Sequence, residues 1–106
     1  MPRIFSYGSL QQPDVQRATF GRQLDGCRDA LPAFTLDTVQ HGPKCLANVR
    51  RGAASDRVEG IAFDVTDSEL VTADAYEKAD AYTRIPAVLA SGLQAWVYVD
   101  AATYQG

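Results

Sequence analysis

The sequence has little of what usually announces a special chemistry. Its 106 residues include two cysteines, one histidine, one tryptophan and one methionine. Cys27 and Cys45 form no C-x-x-C pair, and disulfide-stapled small scaffolds carry more cysteine, so unpaired thiols and a cytoplasmic location are expected. No apolar run approaches the roughly 18 residues of a spanning helix, which excludes a membrane helix. Met1 to Gly8 has no long apolar stretch, and no retained signal peptide is expected. Lys and Arg number 10 against 13 Asp and Glu, for a formal charge of -3. That balance argues against nucleic acid as a partner. There is no P-loop, dinucleotide fingerprint or H-E-x-x-H. The G-x-S-x-G elbow is also missing, which argues against Ser9 as a nucleophile. Cys27, Cys45 and His41 invite a thiol-hydrolase or metal reading, but His41-x-x-x-Cys45 offers two ligands at most locally, and a catalytic zinc needs three protein ligands. His41 lies in Gln40-His41-Gly42-Pro43 and reads as an exposed turn residue. No metal and no cofactor are expected.

What is present describes one ordinary domain over residues 1–106. At 46% hydrophobic and 22% charged, the chain can close a core without staples. Residues 1–53 hold seven basic against four acidic residues, and residues 54–106 three against nine. This reads as two faces of one domain and leaves the oligomeric state open. Arg3 to Ser9 predicts a first strand, ended by Gly8. A short helix should start at Pro13, bury Val15, Ala18 and Thr19, and stop at Gly21. Ala33–Val39 and Lys44–Arg50 are weaker strands, and Val49 to Arg57 reads as a solvated connection. Val58–Val65 alternates, with Val58, Gly60, Ala62 and Asp64 on one side and Ile61, Phe63 and Val65 on the other. Thr66-Asp67-Ser68-Glu69 matches a capping box, opening a helix to Glu77 or Lys78. Tyr82–Leu89 and Leu93–Val99 form a hairpin around Ser91-Gly92, with Pro86 confining the first to an edge or bulge. The class is α+β: a small, mixed, mostly antiparallel β-barrel with short flanking helices.

Two places carry possible chemistry. On the capped helix, Leu70, Ala73 and Glu77 share one side, with Asp74 beside them. Leu70 must face the core, so Glu77 is aimed inward or at the lip of a cavity. A buried carboxylate without a partner has a raised pKa and suits acid–base work. The alternatives are that Glu77 pairs with Arg84 as a structural ion pair, or that the helix frays before it. The second place is Tyr7-Gly8-Ser9-Leu10, where a strand gives way to a loop. Gly8 admits a sharp turn and a close ligand, and free N–H groups there could hold a carbonyl or carboxylate. A plain strand-ending turn is the other reading.

Together these segments resemble the gamma-glutamylcyclotransferase-like family. The resemblance rests on Tyr7-Gly8-Ser9-Leu10, on Asp74-Ala75-Tyr76-Glu77 followed by Tyr82-Thr83-Arg84, on Val58-Glu59-Gly60-Ile61-Ala62-Phe63, and on the ending Gly92 to Val99. It implies a compact mixed barrel with a cavity. It further implies that the Tyr7–Leu10 loop backbone cradles a γ-glutamyl group, that Glu77 is the acid/base, and that Tyr82 lines the cavity. The implied activity is cyclisation of a small-molecule γ-glutamyl amide or amine, releasing 5-oxoproline and a free amine. The other function the scaffold allows is a non-catalytic small-molecule binding module. Two positions depart from many relatives: Ala73 stands before Asp74, and Lys78 after Glu77, where its ammonium would lower the Glu77 pKa if it bent close.

Overall fold

The computed structural model describes residues 1–104. In chain order the elements are β1 (Arg3–Ser6), a 3-10 turn (Ser9–Gln11), α1 (Pro13–Phe20), β2 (Gly26–Pro32), β3 (Phe34–His41), β4 (Lys44–Arg51), β5 (Arg57–Asp64), α2 (Asp67–Lys78), β6 (Tyr82–Val88) and β7 (Gln94–Asp100). Five strands form one sheet in the order β2-β5-β1-β7-β6, and β3 and β4 form a separate hairpin. Within the large sheet only β1 and β7 run parallel.

The alternation in β5 sorts the core into two layers. Val58 and Ala62 pack with Phe5, Leu31, Val97 and Val99, and with Phe34 and Val49 of the hairpin. Phe63 and the following Val65 pack on the opposite face with Ile4, Leu10 and Tyr98, and with Leu70 and Ala73 of α2. One sheet face thus carries the helices and the other the hairpin, as the period-two pleat demands. Phe5 and Phe63 are 1% and 2% exposed, and full burial of such side chains contributes about 1.5–3 kcal/mol each. Gly60 is required by close approach. A Cβ there would run into the Ser6 carbonyl and lie 2.6 Å from the Phe5 ring.

The caps follow local chemistry. Thr66 and Glu69 form the reciprocal box that starts α2, and Gly21 ends α1 in the left-handed region at φ 74°. The mixed α+β class is as expected, with a difference in closure: the strands form two sheets, not a closed barrel. The far edges β2 and β6 meet just beyond β6, through Ala90 N–H to Ala30 O at 2.9 Å, and Pro86 has no N–H for edge pairing. Strand β2 is the element that pattern reading misses. It is an edge strand with only Ala30 and Leu31 buried, so it shows no alternation. The first strand stops at Ser6, and β4 runs on to Arg51, which shortens the expected loop. In α1 the buried residue is Gln16, not a member of the Val15/Ala18/Thr19 face. Its Nε2 donates to Leu10 O and its Oε1 accepts from Leu24 N–H, both at 2.8 Å. A polar side chain can be buried there because both ends are bonded.

Candidate active site

Strand β1 lies centrally in the sheet, and its end delivers Tyr7-Gly8-Ser9-Leu10 to the top of β7 and the side of α2. The 3-10 turn spends the carbonyls of Gly8 and Ser9 on the N–H groups of Gln11 and Gln12. The N–H groups of Ser9 and Leu10 donate to no group among the described residues. Gln16 clamps the Leu10 carbonyl from below, and Ser9 Oγ lies 2.8 Å from the Tyr76 hydroxyl of α2. The loop is therefore held from two sides with donors to spare.

A cavity of about 160 Å³ opens beside this loop, and Tyr7, Gly8, Ser9, Leu10, Glu77 and Tyr82 all line it. Every expected site residue is brought to one place. The structure adds a wall from β4 at Cys45, Leu46 and Ala47, together with Asp80 and Tyr98. Tyr98 could have been found from its alternation in β7, and Asp80 from its spacing of three after Glu77. The hairpin wall left no local signal, because it is joined to the site only through tertiary packing.

Glu77 is half-buried in α2, and its side chain makes no hydrogen bond or ion pair among the described residues. The reason is visible at Arg84. Its Nε lies 3.0 Å from Asp74 Oδ1, and its guanidinium stacks 4.3 Å from the Trp96 ring centroid. The expected alternative, an Arg84–Glu77 pair, is thus replaced by an Arg84–Asp74 pair one turn earlier. Burial, and then the nearby Asp80 charge, push the Glu77 carboxyl up to about 7. Lys78 is exposed on the outside of the helix and does not offset this. Among the described residues Asp80 is answered by Lys44 Nζ of the hairpin, at 3.4 Å.

The tyrosines are also strongly perturbed. Burial pushes the Tyr7 and Tyr98 phenols far up, and Tyr82 up to about 12, with Glu77 adding to each. All three stay neutral phenols at physiological pH. Tyr7 donates to the Tyr98 carbonyl at 2.6 Å, Tyr98 to Asp74 Oδ1 at 2.7 Å, and Tyr82 to the Ala47 carbonyl.

His41 is not the exposed turn residue its neighbours suggest. It ends β3, half-buried, with Nε2 3.1 Å from Oδ1 of Asp100 and its ring edge-on to Tyr82. Cys27 and Cys45 are both free and exposed. Among the described residues no three His, Cys, Asp or Glu side chains converge as a metal site, and no helix is long and apolar enough to cross a membrane.

The model of a family described as gamma-glutamyl cyclotransferase, AIG2-like, matches residues 4–105. No match was found among curated proteins. Similar solved structures include a protein named gamma-glutamyl cyclotransferase, with TM-score 0.78, 20% identity and coverage of 92% of this chain and 65% of that one. A protein of Arabidopsis thaliana gives TM-score 0.80 and 20% identity, covering 95% of this chain and 62% of that one. An uncharacterised Homo sapiens protein gives 0.77 and 19%, covering 92% and 64%. The likeness to each is one of fold, and this chain spans less than two thirds of the length of each of the three.

Proposed function

The chain belongs to the gamma-glutamyl cyclotransferase, AIG2-like family, and from that premise we propose that it cyclises a γ-glutamyl amide or amine. The observation that carries the proposal is the unpaired Glu77, with its carboxyl pushed up to about 7, in one cavity with the Tyr7–Leu10 loop.

The substrate brings its own nucleophile. Its α-amine attacks the γ-carbonyl, a five-membered ring closes, the γ C–N bond breaks, and 5-oxoproline and a free amine leave. No enzyme nucleophile is required, in keeping with the lack of a Ser or Cys elbow. The α-amine has a pKa of about 8 and is mostly protonated at neutral pH. Glu77 takes a proton from it and returns one to the departing nitrogen. A carboxyl near neutrality suits both halves of that task, and such help contributes roughly 10²–10⁴-fold. The free N–H groups of Ser9 and Leu10 stabilise negative charge, either the substrate carboxylate or the developing oxyanion. Enclosure of the curled chain adds proximity.

The test is incubation with γ-glutamyl amides and γ-glutamyl amines, reading 5-oxoproline by chromatography. Release that disappears in Glu77→Gln supports the reading. No release from any of them overturns it and leaves a binding module.

A further inference from the structure

We infer that a second groove, between the open edges of the main sheet, binds a small apolar monocarboxylate, with its carboxylate on Arg51 and its hydrocarbon body on Leu31, Phe34 and Val88. The groove has a volume of about 390 Å³ and shares no lining residue with the Glu77 cavity.

The groove exists because the sheet does not close. Strands β2 and β6 are its outer strands, joined beyond β6 by Ala90 N–H to Ala30 O. The bond from Ala33 N–H to Asp56 O sets the phase of the β2–β5 ladder, and that from Leu89 N–H to Leu93 O sets the phase of β6–β7. Along an antiparallel pair, residues turned toward the partner alternate with residues turned away. Pro32 and Pro86 therefore both turn their backbones outward from the sheet, and both line the gap. Neither has an N–H to give. Zipping the edges together there would leave carbonyls without donors. The same deficit disfavours an added peptide strand as the occupant.

The gap offers side chains instead. Leu31 and Phe34, packed in the core, give it an apolar lining with Pro32 and Pro86 to Val88. Val88 is left 58% exposed. Arg51 is the one charged residue of the lining, and no carboxylate stands opposite it. Arg51 faces Phe34 across the β3–β4 ladder, and its guanidinium lies over the Phe34 ring, 4.9 Å from the centroid. The ring holds the cation in place but supplies no oxygen acceptor for its N–H groups. Neighbouring arginines are taken: Arg50 lies 3.2 Å from Asp37 and Arg57 3.2 Å from Glu59. Arg51 has no ion-pair or side-chain hydrogen-bond partner among the described residues. A planar carboxylate is the group a guanidinium takes in a bidentate pair. A mostly apolar concavity with a single fixed polar anchor is the usual form of a small-ligand site. An amine would meet the wrong charge here, and a strongly polar anion the wrong walls.

The experiment titrates octanoate and phenylbutanoate into the isotope-labelled wild-type chain, followed by amide NMR. Octanol and acetate are the probes that lack the charge or the body. Both carboxylates should shift the amides of Phe34, Arg51 and Val88. Octanoate should bind about fivefold or more tightly than octanol, the scale of a well-aligned exposed ion pair, and acetate should not saturate. The preference over octanol should shrink as salt is added. Arg51→Gln, at an exposed position, should abolish that preference and leave octanol binding unchanged. Val88→Asp, also exposed, should weaken octanoate more than octanol, by placing a like charge in the groove. Glu77→Gln should leave octanoate binding as it is. No saturable binding of either carboxylate, shifts confined to the Tyr7–Leu10 loop and Glu77, or a preference that survives Arg51→Gln overturns the inference. Tighter binding of an acidic extended peptide than of octanoate at the same amides overturns the small-molecule occupant. Release of 5-oxoproline is scored separately and bears on neither result.

Discussion

Two carboxylates near the cavity have opposite surroundings. Asp100, at the end of β7, is 2% exposed and fully engaged. Its Oδ1 meets His41 at 3.1 Å, its Oδ2 accepts from Thr103 at 2.7 Å, and its own N–H donates to Asn48 Oδ1 at 2.9 Å. The bonds to His41 and Asn48 tie the β3–β4 hairpin to the main sheet. Glu77, on the helix side, is enclosed but has no partner among the described residues. A buried acid whose bonds are all made belongs to the fold, whereas one left unanswered in a cavity is held in readiness for something else. Burial alone would have singled out Asp100 as the reactive group.

The sharpest break of this comparison is Glu77→Gln. It should cut 5-oxoproline release by roughly 10²-fold or more, because the acid–base contribution is lost, while 5-oxoproline still binds. The same variant should gain stability, and the gain has a definite pH window. Glu77 titrates near 7 in the fold against an ordinary 4.5, so the folded chain holds its proton more tightly than the unfolded one. The wild type therefore loses stability as pH rises from 4.5 to 7, and Glu77→Gln does not. The difference seen in urea melts at pH 8 but not at pH 4 should reach at most roughly 3 kcal/mol.

Asp100→Ala should do the converse. It should lower stability by about 1–3 kcal/mol, through the lost carboxylate bonds to His41 and Thr103, with turnover per folded molecule within a few-fold of wild type. A large loss of turnover without loss of stability would merge the two carboxylates into one functional unit. Asp74→Asn is intermediate. It keeps the shape of the Arg84–Tyr98 clasp and should cost about tenfold or less in kcat, since one charge-assisted bond is weakened. The smallest effects belong to Cys27→Ala and Cys45→Ala. Both thiols are exposed and free, so stability should stay within about 0.5 kcal/mol and turnover should not change. Loss of turnover in either would point to thiol chemistry in place of the Glu77 mechanism.

Much of this is legible in the sequence. The capping box of α2, the turn at Gly92, the alternation of β5 and the inward stripe of Leu70, Ala73 and Glu77 are patterns over a few residues, set by backbone geometry and pleat. The Tyr7–Leu10 segment was legible for the same reason, as a bulky strand cut short by glycine. Strand β2 was not, because an edge strand needs no alternation. Gln16 was not, because its burial depends on Leu10 and Leu24 arriving at its two ends.

The division falls at the choice of partner. Local spacing could aim Glu77 inward and put Asp74 on the same helix a turn away, but both are carboxylates within reach of a following arginine. Which of them Arg84 would take was decided by the stacking of its guanidinium on Trp96 and the Tyr98 hydroxyl offered to Asp74. Those contacts join α2, β6 and β7 across the fold, and no pattern along the chain contains them. The same holds for the hairpin wall of the cavity. Side-chain periodicity tells a residue which way to face, but only packing between elements determines what it faces and whether its charge is answered.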